Sequence, residues 1–361
     1  MTNRKDDSIV ILGAGLMGCA FSAAFMKASF RVILYDISEE MLASAPERIR
    51  LELQAQGINQ TEDLFTHFEC TDTIDDLNNV NCFLETITEK IQVKQKLYQQ
   101  LEPLLNEQTL FLSNTSTIMI SELAEFVPHR ERFCGFHFFH PVRERSLLEI
   151  IRGSKTSSAT IDQAVELAKK IDKTPLVVGD GPAFLVNRLL HPYLSKALKL
   201  LLEGASIDQI DDAAQDYGMA MGPIRIMDEI GLDVTMHGGW TLLKAFPERT
   251  ARSPILLEMV RLGHLGRKTG TGFRKFTSKT LWDAKGENYP ELEMLIAASQ
   301  QEQNIMPQSF TNKEITDLLI GGMREEGRRV LEENIVPCKE IVNQAVILGL
   351  GYPKNGPPLL E

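Results

Sequence analysis

Two histidines, His137 and His140, lie in a mostly apolar run, Phe133–Val142. Imidazole changes its protonation state near neutral pH, so a histidine here can act as an acid or base, although in an apolar strand it is more often a hydrogen-bonded core residue. With Cys134 the two histidines also form a Cys-x-x-His-x-x-His pattern that could indicate zinc. Residues three apart in a strand point to opposite faces, and no fourth ligand cluster is apparent, so we expect no metal site.

A glycine-rich loop near the start of the chain reads GAGLMG, from Gly13 to Gly18. In a dinucleotide fold Gly13 permits the tight turn, Gly15 lets the backbone approach a pyrophosphate, and Gly18 lets the following helix pack on the sheet. The phosphates then face a helix N-terminus, which favours anions. Asp36, 23 residues after Gly13, would accept hydrogen bonds from a ribose 2′-hydroxyl and repel a 2′-phosphate, which predicts NAD rather than NADP. A glycine turn in an α/β protein that binds no nucleotide is the alternative.

The elements that must position these residues alternate between short apolar, β-branched runs and helical patterns. This alternation predicts a doubly wound, mainly parallel sheet. Beyond Gly181-Pro182 and Phe184 the pattern changes to long amphipathic helices, such as residues 189–202, which predicts a separate α-helical domain. The predicted strands cover residues 9–12, 31–35, 68–71, 81–84, 109–113, 133–139, 147–151 and 175–178, and the predicted helices between them include 20–27, 39–53 and 91–105.

The sequence resembles the L-3-hydroxyacyl-CoA dehydrogenases of fatty-acid β-oxidation, in particular the dehydrogenase part of the bacterial multifunctional fatty-acid oxidation α-subunit, without the hydratase/isomerase domain that precedes it there. The resemblance implies a Rossmann-type NAD-binding domain followed by an all-α domain like the C-terminal domain of 6-phosphogluconate dehydrogenase, with a second helical half-repeat. The matching blocks, in order, are the glycine loop with Asp36, Ser113–Ser116, His137–Phe139 through Glu149, Phe184–Arg188, Met219–Pro223 and Gly266–Phe273.

The resemblance assigns the catalytic roles. His137 matches the family's general base, which takes the hydroxyl proton as hydride leaves for the nicotinamide, and acts as general acid in the reductive direction. Glu149 matches the carboxylate that orients the imidazole and stabilises its charged form. Ser116 and Asn187 match polar residues beside the substrate oxygen and the nicotinamide, where they can stabilise developing negative charge.

The resemblance also assigns cofactor contacts beyond the glycine loop. Glu89 and Lys94 match positions on the nicotinamide and ribose side, and their alternative is a solvated charge pair at the start of a helix. His140 replaces the asparagine of the family's HFFNP motif, which lies near the cofactor, so a second imidazole there could change the pKa of His137. The expected cofactor-binding residues are Gly13, Gly15, Met17, Gly18, Asp36, Glu89, Lys94, Ser116 and His140.

Composition restricts the compartment and the partners. The formal charge is −11 with no basic stripe, so we expect neither nucleic acid nor a membrane as a partner. Five scattered cysteines, an odd number, favour a reducing compartment, and Asp6 and Asp7 before the first apolar run argue against a signal peptide. The protein is therefore expected in the cytoplasm, with an acyl-CoA-type substrate and a possible association with other β-oxidation enzymes.

The 361 residues are longer than two average domains require. We expect a Rossmann domain over 1–183, a helical domain over 184–280 and a second helical half-domain over 281–361. A faint repeat supports the third, since Leu189–Pro223 and Leu318–Pro353 carry similar leucines, glutamates and glycines about 130 residues apart. Residues 310–361 would then cover the surface that shorter relatives use to dimerise, leaving a monomer or a homodimer formed elsewhere.

Two other functions remain open at this point. The first is a related dehydrogenase that acts on a free 3-hydroxy acid or on a carrier-protein thioester. The second is a catalytically weakened binding or assembly homologue, in which His140 would mark the loss of activity.

Overall fold

The computed structural model describes residues 7–250, 252–277, 285–288 and 290–361. Asp6 and the expected boundary between residues 280 and 281 lie outside these residues. The chain divides into two compact units, Met1–Phe184 and Leu185–Glu361.

The first unit contains an eight-stranded sheet with the strand order β3-β2-β1-β4-β5-β6-β7-β8. All neighbouring strands are parallel except β6 and β7, which are antiparallel. The expected fold class, a Rossmann-type α/β domain followed by a helical domain, is confirmed. The strands are β1 (Ser8–Leu12), β2 (Arg31–Tyr35), β3 (Phe68–Thr71), β4 (Cys82–Glu85), β5 (Leu110–Ser113), β6 (Phe133–Phe138), β7 (Leu147–Arg152) and β8 (Thr174–Gly179).

The helices of the first unit begin and end where local chemistry dictates. Ser38 and Ser157 cap two of them by accepting hydrogen bonds from the backbone N–H three residues ahead. One helix ends at Leu101, earlier than the predicted residue 105, because Pro103 lacks the N–H that would continue it. The helices are α1 (Leu16–Lys27), α2 (Glu39–Gln54), α3 (Glu62–Phe65), α4 (Ile91–Leu101), α5 (Ile120–Leu123) and α6 (Ser158–Lys170).

The second unit is helical among its described residues. Its helices are α7 (Val186–Leu202), α8 (Ile207–Tyr217), α9 (Pro223–Ile230), α10 (Leu232–Ala245), α11 (Pro254–Arg261), α12 (Pro290–Gln303), α13 (Asn312–Glu332) and α14 (Lys339–Leu350). Helices α7 and α13 pack closely, since a Cβ added at Gly322 would lie 3.3 Å from Pro192 and 3.3 Å from Lys196. Both α8 and α14 end at a left-handed glycine, Gly218 and Gly351.

Neither a membrane span nor a metal cluster occurs in the described ranges. No helix there is long and apolar enough to cross a bilayer. No group of three or more histidine, cysteine, aspartate or glutamate side chains there could hold a metal ion.

Candidate active site

The glycine loop joins β1 to α1 at the carboxyl edge of the sheet. Gly13 has φ of 111°, which a residue with a side chain rarely adopts, and a Cβ there would lie 2.8 Å from the carbonyl oxygen of Thr86. A Cβ at Gly18 would lie only 1.8 Å from the Gly13 carbonyl oxygen. At Gly15, by contrast, no atom lies within 4 Å of the position that a Cβ would take. The loop therefore packs against the protein at Gly13 and Gly18, and faces open space at Gly15.

The open side of the loop suits a dinucleotide. Gly15 is the N-cap of α1 and provides no side-chain cap, so the first backbone N–H groups of this helix remain available to an anion. Met17 is half-buried against the core below the loop. The guanidinium of Arg48 in α2 braces the loop, since Nη2 donates to the carbonyl oxygen of Ala14 at 2.8 Å.

Asp36, after β2, is tied to the same loop. Its Oδ2 accepts a hydrogen bond from the backbone N–H of Ala14 at 2.7 Å, and its Oδ1 accepts one from the N–H of Ser38 at 3.0 Å. Because each carboxylate oxygen has two lone pairs, the half-buried side chain can still accept hydrogen bonds from a ribose. The residues present thus fit an NAD molecule with its pyrophosphate at Gly15 and its adenosine ribose at Asp36.

A buried cluster of polar side chains at the ends of β4 and β5 was not predicted from the sequence. Glu85, at the end of β4, is fully buried, and its carboxylate accepts hydrogen bonds from Lys94 Nζ at 2.6 Å, Tyr98 Oη at 2.8 Å and Ser113 Oγ at 2.7 Å. The polar end of β5 and the spacing of Lys94 and Tyr98 along α4 were visible in the sequence. Nothing in the local pattern showed that both face one buried carboxylate.

Lys94 is 1% exposed, so it is not part of a solvated helix start. Its ammonium group also lies 3.3 Å from Oε2 of Glu89. This places two carboxylates, Glu85 and Glu89, on one buried cation.

Glu89 organises the loop that follows β5. Its Oε1 accepts hydrogen bonds from the backbone N–H groups of Ser116 and Thr117 at 2.8 and 3.0 Å, and from the Thr115 hydroxyl at 2.7 Å. The Ser116 hydroxyl lies 3.3 Å from the same oxygen. Burial alone would raise the pKa of Glu89, but the charge of Lys94 and these hydrogen bonds together lower it to about 2.

His137 and Glu149 face each other across the antiparallel pair of β6 and β7. They are direct partners in the strand register, and the imidazole Nδ1–H donates to Glu149 Oε2 at 2.8 Å. His137 is 5% exposed and Glu149 is fully buried, so Glu149 is not an exposed strand residue. An imidazole held through Nδ1 keeps Nε2 as the nitrogen that can exchange a proton.

Aromatic rings and an asparagine frame the His137 imidazole. The ring centroids of Phe139 and Phe184 lie 4.6 and 5.7 Å from that of His137. Asn114 connects this strand to the Ser116 loop, because its Oδ1 accepts a hydrogen bond from the N–H of Phe138 at 3.0 Å. The glycine loop follows β1, the Ser116 loop follows β5, and His137 lies near the end of β6, so all three lie at the carboxyl edge of these parallel strands.

His140 lies after β6 with its side chain exposed. Partial burial of the ring and the charges of Arg143 and Arg145 lower its pKa, against the opposing charges of Glu52 and Glu144. The lowered pKa favours the neutral form of the His140 imidazole.

Asn187, the last expected catalytic residue, lies in the other unit, in the first turn of α7. Its side chain is half-buried. The following residue, Arg188, is among the largest fully buried side chains of the described residues, and no local sequence pattern indicated this.

Comparisons with known proteins agree with this site. Residues 8–181 match the family described as 3-hydroxyacyl-CoA dehydrogenase, NAD binding domain, and residues 184–276 match 3-hydroxyacyl-CoA dehydrogenase, C-terminal domain. The fatty acid oxidation complex subunit alpha of Acinetobacter baumannii (strain SDF) is 32% identical over 96% of this chain and 49% of its own length. The chain thus spans about half the length of the curated relatives that it matches.

Solved structures show the same fold. The (S)-3-hydroxybutyryl-CoA dehydrogenase PaaH1 from Ralstonia eutropha is 31% identical, with a TM-score of 0.72 over 76% of this chain and 100% of its own. The 3-hydroxybutyryl-CoA dehydrogenase from Escherichia coli K12 has a TM-score of 0.83 over 96% of this chain and 89% of its own, at 23% identity. With an NAD-binding domain, a helical domain and relatives of this extent, the chain belongs to the 3-hydroxyacyl-CoA dehydrogenase family.

Proposed function

We propose that this chain catalyses the reversible, NAD-dependent oxidation of an L-3-hydroxyacyl-CoA to the 3-ketoacyl-CoA in fatty-acid oxidation. The observation that carries the proposal is the buried pair of His137 and Glu149, joined at 2.8 Å, on a strand that follows the glycine loop and the Ser116 loop at the same edge of the sheet. The family to which the chain belongs and the names of its relatives support an acyl-CoA as the substrate class.

The pair explains how the proton of the substrate would be handled. Bound NAD supplies the hydride acceptor. His137 takes the hydroxyl proton on Nε2, because Nδ1 already donates to Glu149. The Glu149 carboxylate then stabilises the imidazolium, and the charged pair remains sheltered from water by its burial. In the reductive direction the same Nε2–H returns the proton to the alkoxide oxygen.

Ser116 and Asn187 are proposed to stabilise negative charge on the substrate oxygen. Glu89 holds the backbone of Ser116 through the N–H at 2.8 Å, which keeps the hydroxyl in place without a change of loop conformation. Asn187 offers an amide donor from the first turn of α7.

The proposed cofactor contacts follow the same logic. Gly15 and Asp36 would touch the pyrophosphate and the ribose directly, whereas Lys94, which is 1% exposed, would act by holding Glu89 rather than by reaching the cofactor. The full set of residues proposed to bind the cofactor or to position those that bind it is Gly13, Gly15, Met17, Gly18, Asp36, Glu89, Lys94, Ser116 and His140.

We also propose the domain division 1–183, 184–280 and 281–361, with the last part a second copy of the helical half-domain. The equivalent ends of α7 and α13 support it: Glu203 and Glu333 are the C-caps, and each is followed by a residue with positive φ, Gly204 and Asn334. The names of the relatives, which are subunits of a complex, support an association with other enzymes of fatty-acid oxidation.

A substrate panel tests the proposed reaction. We expect the purified chain to oxidise NADH when acetoacetyl-CoA is added, and His137→Gln to abolish this turnover while NADH still binds. Acetoacetate and a carrier-protein thioester of the same acyl group serve as comparison substrates. Turnover of either, without turnover of the CoA ester, would reassign the substrate. NADH binding with no turnover of any of them would contradict the enzyme function, and an active His137→Gln variant would remove His137 from the mechanism.

A further inference from the structure

The buried guanidinium of Arg188 lies beside the proposed catalytic Asn187 in the chain. Its side chain is 0% exposed, and it is held by two glutamates of the C-terminal part of the molecule. Nε donates to Glu326 Oε1 at 2.9 Å, Nη2 donates to the same oxygen, and Nη1 donates to Glu333 Oε2 at 2.6 Å. The ring of Phe246 packs on the guanidinium at 4.8 Å. Four contacts from three other residues therefore fix one side chain in the first turn of α7.

The glutamates are themselves held in place. Glu333 also accepts a hydrogen bond from Arg249 Nη1 at 2.7 Å. Burial would raise the pKa of Glu333, but hydrogen bonds from Arg188 and Arg249 lower it, so this carboxylate stays charged. Glu326 is 7% exposed, and a buried charge of this kind is costly unless its partner is present.

The backbone just before α7 needs such an anchor. Ala183 and Phe184 have φ of 61° and 57°, a left-handed conformation that side chains make unfavourable. Such strain persists only where neighbouring structure holds it. Arg188 is the third residue of the helix that follows, so its fixed guanidinium restricts both the rotation and the axial position of the first turn.

One of the two anchoring glutamates, Glu326, has no glutamate at the equivalent position of the first copy. Pro192 and Gly322, which meet where α7 crosses α13, are 130 residues apart. The same offset relates Glu326 to Lys196, and Arg188 to Leu318. The C-terminal copy thus has no arginine of its own at the equivalent place, and the first copy has a lysine where the anchoring glutamate would be. Glu333, by contrast, has a glutamate at the equivalent position, Glu203, so the two copies differ at the arginine and at one of its two partners.

We propose that Glu326 and Glu333 are positioning residues for the active site: through Arg188 they hold the first turn of α7, and with it Asn187, in the orientation that the reaction needs. This inference rests on the proposed function only for the role of Asn187. The effect of Glu326 and Glu333 on the first turn of α7 can be tested without measuring turnover.

The first test is a double-mutant cycle between Glu326→Gln and Asn187→Ala. Glu326→Gln keeps the shape of the side chain and removes its charge. We expect it to lower kcat about tenfold, because a misplaced catalytic group loses rate steeply with distance, while the Kd for NADH stays unchanged. In the Asn187→Ala background the same substitution should change kcat less than twofold. An equal loss in both backgrounds, or no loss in the wild-type background, would overturn the positioning role. Glu333→Gln, at a residue whose side chain is 29% exposed, should give a smaller loss in the same direction.

The matched control is Glu229→Gln. Glu229 of α9 is also buried and accepts two hydrogen bonds from one arginine, Arg267, at 2.8 and 2.6 Å. The Glu229→Gln substitution should lower the melting temperature. Its effect on kcat should be the same in the wild-type and in the Asn187→Ala background. A control that reproduces the non-additivity would show that loss of a buried ion pair in general, and not the Arg188 anchor, is responsible.

Hydrogen–deuterium exchange separates this inference from the proposed function. In Glu326→Gln the amides of residues 189, 190, 191 and 193 should exchange faster than in the wild type or in Glu229→Gln. The first of them is the N–H of Leu189, which donates to the Leu185 carbonyl. Unchanged exchange would overturn the anchor even in an active enzyme. Faster exchange in a chain that turns over no acyl-CoA would support the anchor and contradict the proposed reaction instead.

Discussion

Glu89 is the side chain that connects the loop of the proposed site to the buried lysine beneath it. One of its oxygens accepts hydrogen bonds from the Ser116 and Thr117 backbone, and the other lies 3.3 Å from Lys94. Ser116 contributes a hydroxyl to the proposed reaction only if this loop keeps its shape. The charge of Glu89 is thus expected to matter for stability as well as for activity.

This gives a prediction for pH. The pKa of Glu89 is lowered to about 2 in the folded chain, so its stabilising contribution is fully present above pH 4.5 and is lost as the pH falls toward 2. We expect Glu89→Gln to lower the free energy of unfolding at pH 7 by roughly 2–3 kcal/mol. When urea unfolding is repeated, the difference from wild type should be unchanged at pH 5 and should shrink at pH 4 and 3.5.

Glu166→Gln, which changes an exposed surface pair with Lys169, is the control and should change the free energy of unfolding by less than about 0.5 kcal/mol. If the difference between wild type and Glu89→Gln stayed constant from pH 7 to 3.5, the charge of Glu89 would not be the stabilising feature.

At the scale of elements, the reversal of one strand creates the proposed catalytic pair. A parallel β7 would need a long crossover from β6 and would bring different residues into register. Because β7 instead runs antiparallel, Glu149 lies directly opposite His137. The parallel strands on the other side supply the cofactor loop and the Ser116 loop from their carboxyl ends, as open α/β sheets generally do.

The contact between the glycine loop and α1 predicts different results for two similar substitutions. In Gly18→Ala the new methyl group would collide with the Gly13 carbonyl oxygen at 1.8 Å, so the loop must move. We expect a lower melting temperature and a Kd for NADH raised on the order of 100-fold. In Gly15→Ala no protein atom lies within 4 Å of the new methyl group, so the melting temperature should hold. NADH binding should still weaken, because the methyl group would occupy the proposed place of the pyrophosphate.

Fluorescence titration with NADH and thermal unfolding of both variants measure these effects. Normal NADH binding by Gly15→Ala would place the pyrophosphate elsewhere.

At the scale of the whole molecule, the C-terminal helices cover a face of α7 that would otherwise lie in solvent. α13 packs apolar residues that are almost fully buried, Ile315, Leu319 and Met323, in the second unit. A solved relative, PaaH1 from Ralstonia eutropha, matches 76% of this chain over its whole length, so a protein of the shorter extent folds in that case.

Removing residues 310–361 is therefore expected to change the oligomeric state, because exposed apolar surface of this kind favours self-association. If two truncated chains paired as α7 pairs with α13, Lys196 of one would face Arg188 of the other, where Glu326 now lies. The repulsion should make this dimer weak. Lys196→Glu in the truncated chain should then tighten it by tenfold or more, the equivalent of about 1.4 kcal/mol.

Light scattering over a concentration series, with circular dichroism to show that the truncated chain is folded, measures this. An oligomeric state that is the same with and without residues 310–361 would count against the proposal that these residues replace a partner.

Much of the cofactor site was predictable because its residues act over short stretches of chain. Gly13, Gly15 and Gly18 have roles set by one turn and one helix, and Asp36 follows at a spacing that any strand-helix-strand unit of this size imposes. His137 was visible as an unusual residue in an apolar strand. The helical second unit followed from amphipathic periodicity.

Only the tertiary structure decided which residues far apart in sequence make contact. Local patterns do not record that Lys94 is buried on Glu85, that an antiparallel turn sets Glu149 opposite His137, or that Glu326 pairs with Arg188 from 138 residues away. Periodicity reports which face of an element is apolar, since burial is cheap there. It does not report which distant residue will pair with a buried charge, because the packing of whole elements determines that partner. The pairing is nevertheless required, since an unpaired charge in the interior is strongly destabilising.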